Sequence, residues 1–328
     1  MSHERTFPSV VDSTMLSTLT CHRKWVWSYE RNYTAFGGKS IHLMAGAAFA
    51  KGLEVMRSSF VKGSCLEIIK DASYRGASEE DFRKVKLEGE VKDKYDALHF
   101  GLQALMLSYD ESVVHDTAKT LDRMCGALEF YADSFPLDNP DFGVITDISG
   151  KAGVEWNFAV PLPVMHPDTG EPIIFCGRLD VVLDVFGGTY LVDDKTTSSL
   201  GASWPQQWDM RGQFVGYAWA ARQYGLRVDG SLVRGISILK TKYDKAQAIV
   251  PQPEWKQDEW LASTVAKLNH AKALYFSGDP KLNALPVFGE PCNEYGGCEF
   301  KQPCMNRDHD GWLDSNFVAR NWNPLERH

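Results

Sequence analysis

The chain has 328 residues, of which 44% are hydrophobic and 24% charged, an ordinary balance for a folded globular protein. That length allows a large core in one elaborated domain or in two modest ones. The formal net charge of −8 argues against attraction to nucleic acid through overall charge, although a local basic groove is compatible with it. The sequence has no apolar run of membrane-spanning length and no signal-peptide pattern, so we expect a cytoplasmic protein without a membrane partner.

The predicted elements fall into a helical first half and a mixed second half. A short helix is predicted to begin at Cys21, and a second one covers residues 45–60. From about 78 to 134 the pattern predicts long helical structure, which we interpret as an insertion whose charged run forms a solvated face. The second half contains a predicted strand at 154–160, a hairpin at 173–192, an amphipathic helix at 205–224, a strand at 232–240 and a helix at 255–277. This order predicts an α/β fold with one mixed sheet flanked by helices.

The predicted hairpin is the most informative segment of the chain. Its first strand contains Gly177, Arg178, Leu179 and Asp180, and after a Gly187-Gly188 turn its second strand contains Val192, Asp193, Asp194, Lys195 and Thr196. Paired glycines suit a two-residue primed turn because its central residues need positive φ. Pairing of Phe186 with Thr189 would place Asp180 directly opposite Lys195. Alternation along the strand then puts Asp193 on the same face.

Two acids and an amine on one face of an apolar strand pair predict a chemical site. Buried charges are unfavourable by several kcal/mol, roughly, unless they are paired or bind a metal ion. Acids that hold a hard cation beside an amine near the attacking water are the groups that phosphodiester hydrolysis requires. Asp194 points the other way, and a one-residue change in loop length would exchange it with Asp193. An acidic hairpin with a solvated face is the structural alternative, which we favour for Asp184.

The chain resembles the PD-(D/E)XK nuclease superfamily, in the RecB-like branch that includes the CRISPR adaptation nucleases and many bacteriophage exonucleases. The resemblance covers most of the chain outside the helical insertion. Gly177–Asp180 matches the family's G-x-x-D strand, Asp193–Lys195 its D/E-x-K strand and Gln213–Tyr217 its Q-x-x-x-Y helix. Glu155 lies where the family often has an acid on the preceding strand. The resemblance implies a restriction-endonuclease-like core.

The resemblance also implies an activity, that of a metal-dependent DNA nuclease, with an exonuclease acting on ends or single strands as the expected form. Asp180 and Asp193 would bind Mg²⁺ or Mn²⁺, and Lys195 would orient or deprotonate the attacking water. Gln213 would lie beside the site and Tyr217 would contact the substrate backbone, with ordinary helix packing as the alternative for both. A bacteriophage origin and a partner among recombination or replication proteins are further implications.

One departure from the family lies on the helix that contains Gly46. The family pattern G-x-x-x-H has a metal-binding histidine where this chain has Ala50. Glu54, His42 or a water molecule would replace that ligand, or the metal would be held more weakly. A non-catalytic DNA-binding or scaffold protein that keeps the fold is therefore the alternative function.

Three cysteines near the C-terminus, Cys292, Cys298 and Cys304, are interleaved with Gly and Pro and suit a loop wrapped around a metal. Cys21 resembles the lone N-terminal cysteine that completes a 4Fe–4S cluster in this branch. The C-x5-C-x5-C spacing favours iron–sulfur over zinc, although a zinc-stapled RNA-processing enzyme stays open. Unrelated buried cysteines are the structural alternative. We assign that plain role, as small apolar residues, to Cys65, Cys125 and Cys176.

We expect one nuclease domain over residues 1–328. Its predicted parts are the N-terminal helices with Cys21, the helical insertion, the catalytic core and the cysteine-rich segment, at 1–60, 61–145, 150–280 and 285–328. An N-terminal aromatic group forms either a stacking and phosphate-contacting surface or a buried helix. That group comprises Trp25, Trp27, Tyr29 and Tyr33 with the cations Arg23, Lys24 and Arg31. The closing segment 321–325 resembles phage proteins.

Overall fold

The computed structural model describes residues 5–35, 40–70, 84–113, 115–148, 150–277, 284–289, 292–293, 297–320 and 323–327. Its helices are α1 (Ser13–Thr18), α2 (His22–Trp25), α3 (Ile41–Lys62), α4 (Lys94–Ser108), α5 (Leu121–Ser134), α6 (Gly212–Gln223), α7 (Glu254–Phe276), α8 (Lys301–Met305) and α9 (His309–Asn316). Its strands are β1 (Val10–Val11), β2 (Tyr33–Ala35), β3 (Ser64–Lys70), β4 (Lys84–Glu90), β5 (Val144–Ile145), β6 (Asp147–Ile148), β7 (Lys151–Ala152), β8 (Val154–Met165), β9 (Pro172–Val185), β10 (Gly188–Thr197), β11 (Gly230–Ile238), β12 (Tyr243–Pro251) and β13 (Phe317–Ala319).

A seven-stranded mixed sheet forms the centre of the fold. Its strand order is β1-β9-β10-β11-β12, with β5 and β8 also paired to β9. Strands β1 and β9 are parallel, as are β10 and β11, whereas the other pairs are antiparallel. Along β11, Val233 packs with Phe214 of α6 on one face, and Ile236 packs with α3, α4 and α5 on the other. The predicted α/β fold with a central mixed sheet flanked by helices is therefore confirmed.

Strand β9 has one edge that is covered only in part. Phe175 pairs with both β8 and β1, so these two strands flank it on opposite edges. Val181 pairs with both β8 and β10, so β10 lies on the same edge as β1. Within the described chain, no strand pairs with residues 176–180 along that shared edge. The sheet therefore opens at the segment that ends in Asp180.

The hairpin of β9 and β10 is confirmed, but its turn lies one residue earlier than predicted. Val185 pairs with Gly188, which leaves Phe186 and Gly187 as the turn, with φ of 52° and 79°. Positive φ at both positions is the geometry of a type I′ turn. Asp184 Oδ1 accepts the Gly187 N–H at 2.9 Å and stabilises this turn over the predicted one. Asp184 is exposed, as expected for a solvated acid.

The shifted turn changes the residue that lies opposite Asp180. One step beyond the last pair, Val192 with Val181, Asp193 and not Lys195 stands across from Asp180. The change amounts to two positions along β10, so alternation still places Asp193 and Lys195 on one face. The predicted shared face is retained although the predicted register is wrong.

The region predicted as a long helical insertion contains strands as well as helices. β3 and β4 form a two-stranded antiparallel sheet before α4 and α5. Along β4 the half-buried Val85 and the buried Leu87 alternate with exposed residues. That period of two belongs to a strand, and it overrides the charged composition that suggested a helix. Residues 71–83, where the predicted helix begins, lie outside the described part of the chain.

The other predicted elements are present with altered ends. Helix α6 begins at Gly212 and not near residue 205, and it is not amphipathic, because Phe214–Ala221 are all buried. It lies between the sheet and α7, so its whole circumference is covered. Strand β12 was not predicted, because its edge position leaves most of its residues exposed or half-buried. None of the described helices has the length and apolarity needed to cross a bilayer.

Candidate active site

Three acids stand side by side on three adjacent strands at the open edge of the sheet. Counting from the neighbouring pairs places Glu155 of β8 and Asp193 of β10 on either side of Asp180 of β9. Regular pairing between β9 and β10 has ended at this level. Asp180 Oδ2 instead accepts the backbone N–H of Asp194 at 2.9 Å. This bond fixes the Asp180 carboxylate where the two strands separate.

Burial raises the pKa of all three acids. It brings the pKa of Asp180 to about 7, with a further rise from Asp193 and an opposing effect of Lys195. Burial likewise raises the pKa of Glu155 to about 8, and the charge of Asp180 adds to that rise. The pKa of Asp193 is also raised, first by burial. Buried acids that repel one another form a site that a cation would stabilise.

Lys195 supplies positive charge at this site. Its Nζ lies 2.6 Å from Asp193 Oδ2, and its side chain is 37% exposed, against 12% for Asp193. Burial lowers the pKa of Lys195, but the charges of Asp193 and Asp180 outweigh that effect and raise it overall. The ammonium group is therefore charged at neutral pH. It lies at the boundary between the buried acids and solvent.

Glu155 has a strained backbone. Its φ of 48° is in the left-handed region, which residues other than glycine rarely adopt and which is unfavourable by about 1–3 kcal/mol. The Glu155 carboxylate pairs with Arg178 Nε at 2.7 Å, and the acid side chain is 15% exposed. Strain of this kind concentrates at functional sites, which agrees with the position of Glu155 beside Asp180.

Helix α6 covers the face that carries Asp193. Gln213 Nε2 donates a hydrogen bond to Asp193 Oδ1 at 3.4 Å. One turn later Tyr217 is only 7% exposed, and burial raises its pKa to about 12. A Cβ on Gly177 would lie 2.8 Å from Tyr217 Cε1, so this glycine makes room for the tyrosine ring. Burial favours the packing alternative for Tyr217 over contact with substrate.

Asp194 points to the opposite face of the sheet, as predicted. Its Oδ2 lies 2.6 Å from Arg57 Nη2, and both side chains are 3% exposed. Arg57 also donates to the Tyr131 hydroxyl at 2.7 Å, and Arg234 reaches the same hydroxyl at 3.4 Å. This network was not predicted. Its signal in the sequence is a single arginine inside each of two segments that carry no other charge, 55–60 and 230–238.

Helix α3 borders the acids through the face that contains Ala50. Gly46, Ala50 and Glu54 are spaced four apart and so share that face. A Cβ on Gly46 would lie 4.0 Å from Thr196 Oγ1 at the end of β10. The charge of Glu54 contributes to the raised pKa of Glu155, after the effect of burial. Ala50 is exposed and lies between these two positions on the same helix face.

The two candidate replacements for the missing histidine differ in position. His42 is exposed in the first turn of α3, roughly 18 Å along the helix axis from Glu54 at 1.5 Å per residue. Glu54 lies nearer the acids but forms an ion pair with Lys51 at 3.0 Å. Glu54 is therefore the replacement that geometry favours, and it would have to leave Lys51.

The carboxylate oxygens of these acids are donors of the type that a hard divalent cation prefers. Asp193 Oδ2 is buried and has no hydrogen-bond partner apart from its ionic contact with Lys195. In the described ranges, no three His, Cys, Asp or Glu side chains are arranged as a complete metal site. Mg²⁺ commonly takes one or two carboxylates and completes its shell with water and substrate phosphate. Asp180 and Asp193 fit that requirement.

The four cysteines predicted to meet come from two distant parts of the chain. Burial raises the pKa of Cys298 and Cys304, and the charge of Cys21 adds to both rises. Cys292 lines the same cleft as Cys21 and Cys298. Arg23 bonds to the Cys304 thiol, which favours its thiolate form. Thiols are the donor type that an iron–sulfur cluster or zinc requires, although the described thiols do not lie together as a complete ligand set.

The remaining aromatic and cysteine predictions have clear outcomes. Trp25, Trp27 and Tyr33 are at most 2% exposed and belong to the core, so the buried alternative is right and the stacking surface is wrong. Cys65 and Cys176 are buried, as predicted. Cys125 packs in part against the core beneath α3, α4 and α5. Of the closing segment, residues 321 and 322 lie outside the described chain.

Comparisons with known proteins give weak likenesses. No protein-family profile matches the chain, and no curated protein matches its sequence. The crystal structure of SSO0001 is similar over 60% of this chain and 72% of that one, with 16% identity and a TM-score of 0.28. A "putative exonuclease" from Eubacterium rectale is similar over 86% of this chain and 90% of that one, with 11% identity and a TM-score of 0.43. Likenesses at this level do not decide the activity of this chain.

Proposed function

We propose that the protein is a metal-dependent deoxyribonuclease of the PD-(D/E)XK type, acting as an exonuclease. The observation that carries the proposal is the row of Glu155, Asp180 and Asp193 across three strands, with Lys195 beside it. Acids that are buried together with too little countercharge destabilise an empty site and become favourable when a divalent cation binds. Arg178 pairs with Glu155 and Lys195 with Asp193, whereas Asp180 forms no ion pair within the described chain.

In this proposal Asp180 and Asp193 hold Mg²⁺ or Mn²⁺, which supplies Lewis-acid polarisation of the scissile phosphate. Lys195 orients the attacking water and offsets negative charge on the phosphate. Its raised pKa favours this role over that of a general base, because the amine is protonated at neutral pH. Gln213 positions Asp193 through their hydrogen bond, and Tyr217 positions α6 against β9 by packing over Gly177.

The nuclease proposal is tested on linear single- and double-stranded DNA with Mg²⁺ or Mn²⁺, using protein purified without oxygen. Lys195→Ala should lower the rate by roughly 10²–10³-fold, the usual effect of removing one group that stabilises charge in the transition state. Lys92→Ala is the matched control, since that side chain is 73% exposed and its ion-pair partner is Glu90 at the end of β4, outside the three strands that carry the acids. A wild type no faster than Lys195→Ala would leave the DNA-binding or scaffold alternative, to which Ala50 already points.

The second part of the proposal is a structural 4Fe–4S cluster held by Cys21, Cys292, Cys298 and Cys304. It would join the start of the chain to its C-terminal segment and restrict the unfolded state, which stabilises by a few kcal/mol, roughly. Cys298→Ser should lose iron and the visible absorbance of the cluster, whereas Cys125→Ser should keep both. Equal iron in the two variants would reject the cluster. Zinc in place of iron, with a preference for RNA, would support the RNA-processing alternative.

We further propose a restriction-endonuclease-like core in one domain over residues 1–328, with an N-terminal helical part, a helical insertion, a catalytic core and a cysteine-rich segment. A cytoplasmic location, a bacteriophage origin and a recombination or replication partner belong to the same proposal. DNA, as single strands or duplex ends, is the proposed substrate.

A further inference from the structure

The small sheet of β3 and β4 is separate from the central sheet and leaves one edge of β4 unpaired. In the described chain β4 pairs with β3 alone, in register over all seven residues of each strand. The other edge of β4 therefore presents backbone N–H and C=O groups that no strand of this part of the chain covers. Such an edge is a template for pairing with another strand, unless its side chains prevent that.

The exposed face of β4 carries four charges in a particular order. Lys84 and Lys86 come first, Glu88 and Glu90 follow, and all four side chains are exposed. Leu87 is the middle residue of the strand, points to the other face and is only 7% exposed. The cations and the acids therefore stand at equal distances on either side of Leu87, in mirror order with the sign of charge reversed.

This order is complementary to the same edge of a second copy. When two β4 strands pair antiparallel with Leu87 opposite Leu87, Lys84 of each copy faces Glu90 of the other. Lys86 of each copy likewise faces Glu88 of the other. Opposed residues lie about 4.5–5.5 Å apart between Cβ atoms, and opposite charges at that separation stabilise the pairing. All four opposed pairs on the exposed face are then attractive.

Other arrangements of the same two edges bring like charges together. A shift of two residues sets Lys86 against Lys86 in one direction and Glu88 against Glu88 in the other. Parallel pairing in register sets every charged residue against its own copy. A shift of one residue turns Leu87 of the second copy toward the charged side. The charges on β4 therefore favour a single register, the one centred on Leu87.

Protection of the edge is the alternative role for these charges, because edge strands often carry lysine to prevent pairing. Charges of one sign would serve that role best, since they repel every copy of the same edge. The exposed face of β4 has two charges of each sign, which cancel. Strand β3 has no such order, because its exposed face carries Lys70 beside the apolar Leu66 and Ile68. The arrangement on β4 is therefore selective and not merely protective.

We propose that the protein forms a two-fold homodimer in which the β4 strands of two copies pair antiparallel about Leu87. The two hairpins then form one four-stranded sheet. A contact of this kind uses the same patch on both copies and stops at two. Seven residues on each side are few compared with the roughly 20–30 residues a side of stable complexes. The dimer should therefore dissociate on dilution and in high salt, which screens exposed ion pairs.

Sedimentation velocity of the whole protein, over a range of micromolar concentrations, measures the dimer. Lys86→Glu should raise Kd by about 10-fold or more, since it turns both symmetry-related pairs with Glu88 from attraction to repulsion. Glu88→Lys should have the same effect by opposing two lysines. The double variant with both changes restores attraction and should dimerise like the wild type, which controls for folding. Lys267→Glu makes the same charge change at an exposed position on α7 and should leave Kd unchanged.

A mixture of the two single variants tests the register directly. Lys86→Glu and Glu88→Lys should each be monomeric where the wild type is dimeric. Mixed together they should form a heterodimer, because the acids of one copy then face the lysines of the other. Amide hydrogen exchange in β4 should slow when the wild type dimerises. A wild type that stays monomeric at its highest soluble concentration would overturn the proposal, as would a dimer that Lys86→Glu leaves unchanged or a mixture that stays monomeric.

Discussion

Strand β10 carries an aspartate on each of its two faces, and the two faces differ in charge balance and in exposure. On the α6 face, Asp193 lies beside Asp180 and Lys195, and the Lys195 side chain is 37% exposed. On the α3 face, Asp194 is paired with Arg57, and both side chains are 3% exposed. The first face has more acid than countercharge, whereas the second is neutralised and closed. Neighbouring aspartates can therefore serve a ligand site and a structural network, respectively.

Removal of Arg57 should have the largest effect on stability. Arg57→Ala leaves the Asp194 carboxylate buried without a counterion, which is unfavourable by about 3–5 kcal/mol. Urea unfolding followed by circular dichroism measures the change. Lys195→Ala removes a cation from the other face and should have a much smaller effect, because that side chain is partly solvated. Equal losses in the two variants would contradict the division between the faces.

The pH dependence of stability should reflect the excess of acid over countercharge on the α6 face. Asp and Glu titrate near pH 4 in an unfolded chain, but Asp180 and Glu155 titrate with pKa values of about 7 and about 8 in the fold. Between about pH 4 and pH 8 the folded state therefore binds more protons than the unfolded chain. The metal-free protein should become less stable as pH rises through that range.

Urea midpoints in EDTA at about pH 5 and pH 8 measure this slope. Asp180→Asn should reduce it, because the amide does not titrate. Mn²⁺ should restore stability at the higher pH, where its ligands are deprotonated. A metal-free protein that gains stability between pH 5 and pH 8 would contradict the assigned charge imbalance.

The smallest effect is expected at the hairpin turn, away from both faces. Phe186 is 83% exposed and adopts φ of 52°, a conformation unfavourable by roughly 1–2 kcal/mol for most residues. Phe186→Asn creates the Asn-Gly pair that type I′ turns prefer, and should stabilise the protein by up to about 1 kcal/mol. The melting temperature measures it, and DNA cleavage should not change. A loss of stability would argue against the observed turn.

The turn also shows how much of the hairpin could be predicted from the sequence. The pair Gly187-Gly188 predicted the hairpin, but it did not reveal that Asp184 caps the Gly187 N–H and moves the turn onto Phe186. A two-residue turn that moves by one position shifts the register by two, so the faces of Asp193 and Lys195 were predicted correctly from the wrong pairing.

The network on the α3 face could not be predicted in the same way. Its central ion pair joins residues 57 and 194, which are 137 positions apart, and Tyr131 lies 74 positions from Arg57. Local periodicity has no information about such partners. The buried state of Trp25 and Trp27 was equally undecided, because aromatic residues suit both a core and a stacking surface.

The most direct measurement is a Mn²⁺ titration by calorimetry of two variants that differ by one position, Asp193→Asn and Asp194→Asn. We predict that Asp193→Asn loses Mn²⁺ binding by more than about 100-fold, since even outer-shell partners of metal ligands contribute 10–100-fold, while its stability changes little. Asp194→Asn should keep Mn²⁺ binding at a temperature where it is folded and should lose stability through its contact with Arg57. Equal Mn²⁺ affinity in the wild type and Asp193→Asn would contradict the proposal that this face of β10 binds the catalytic metal.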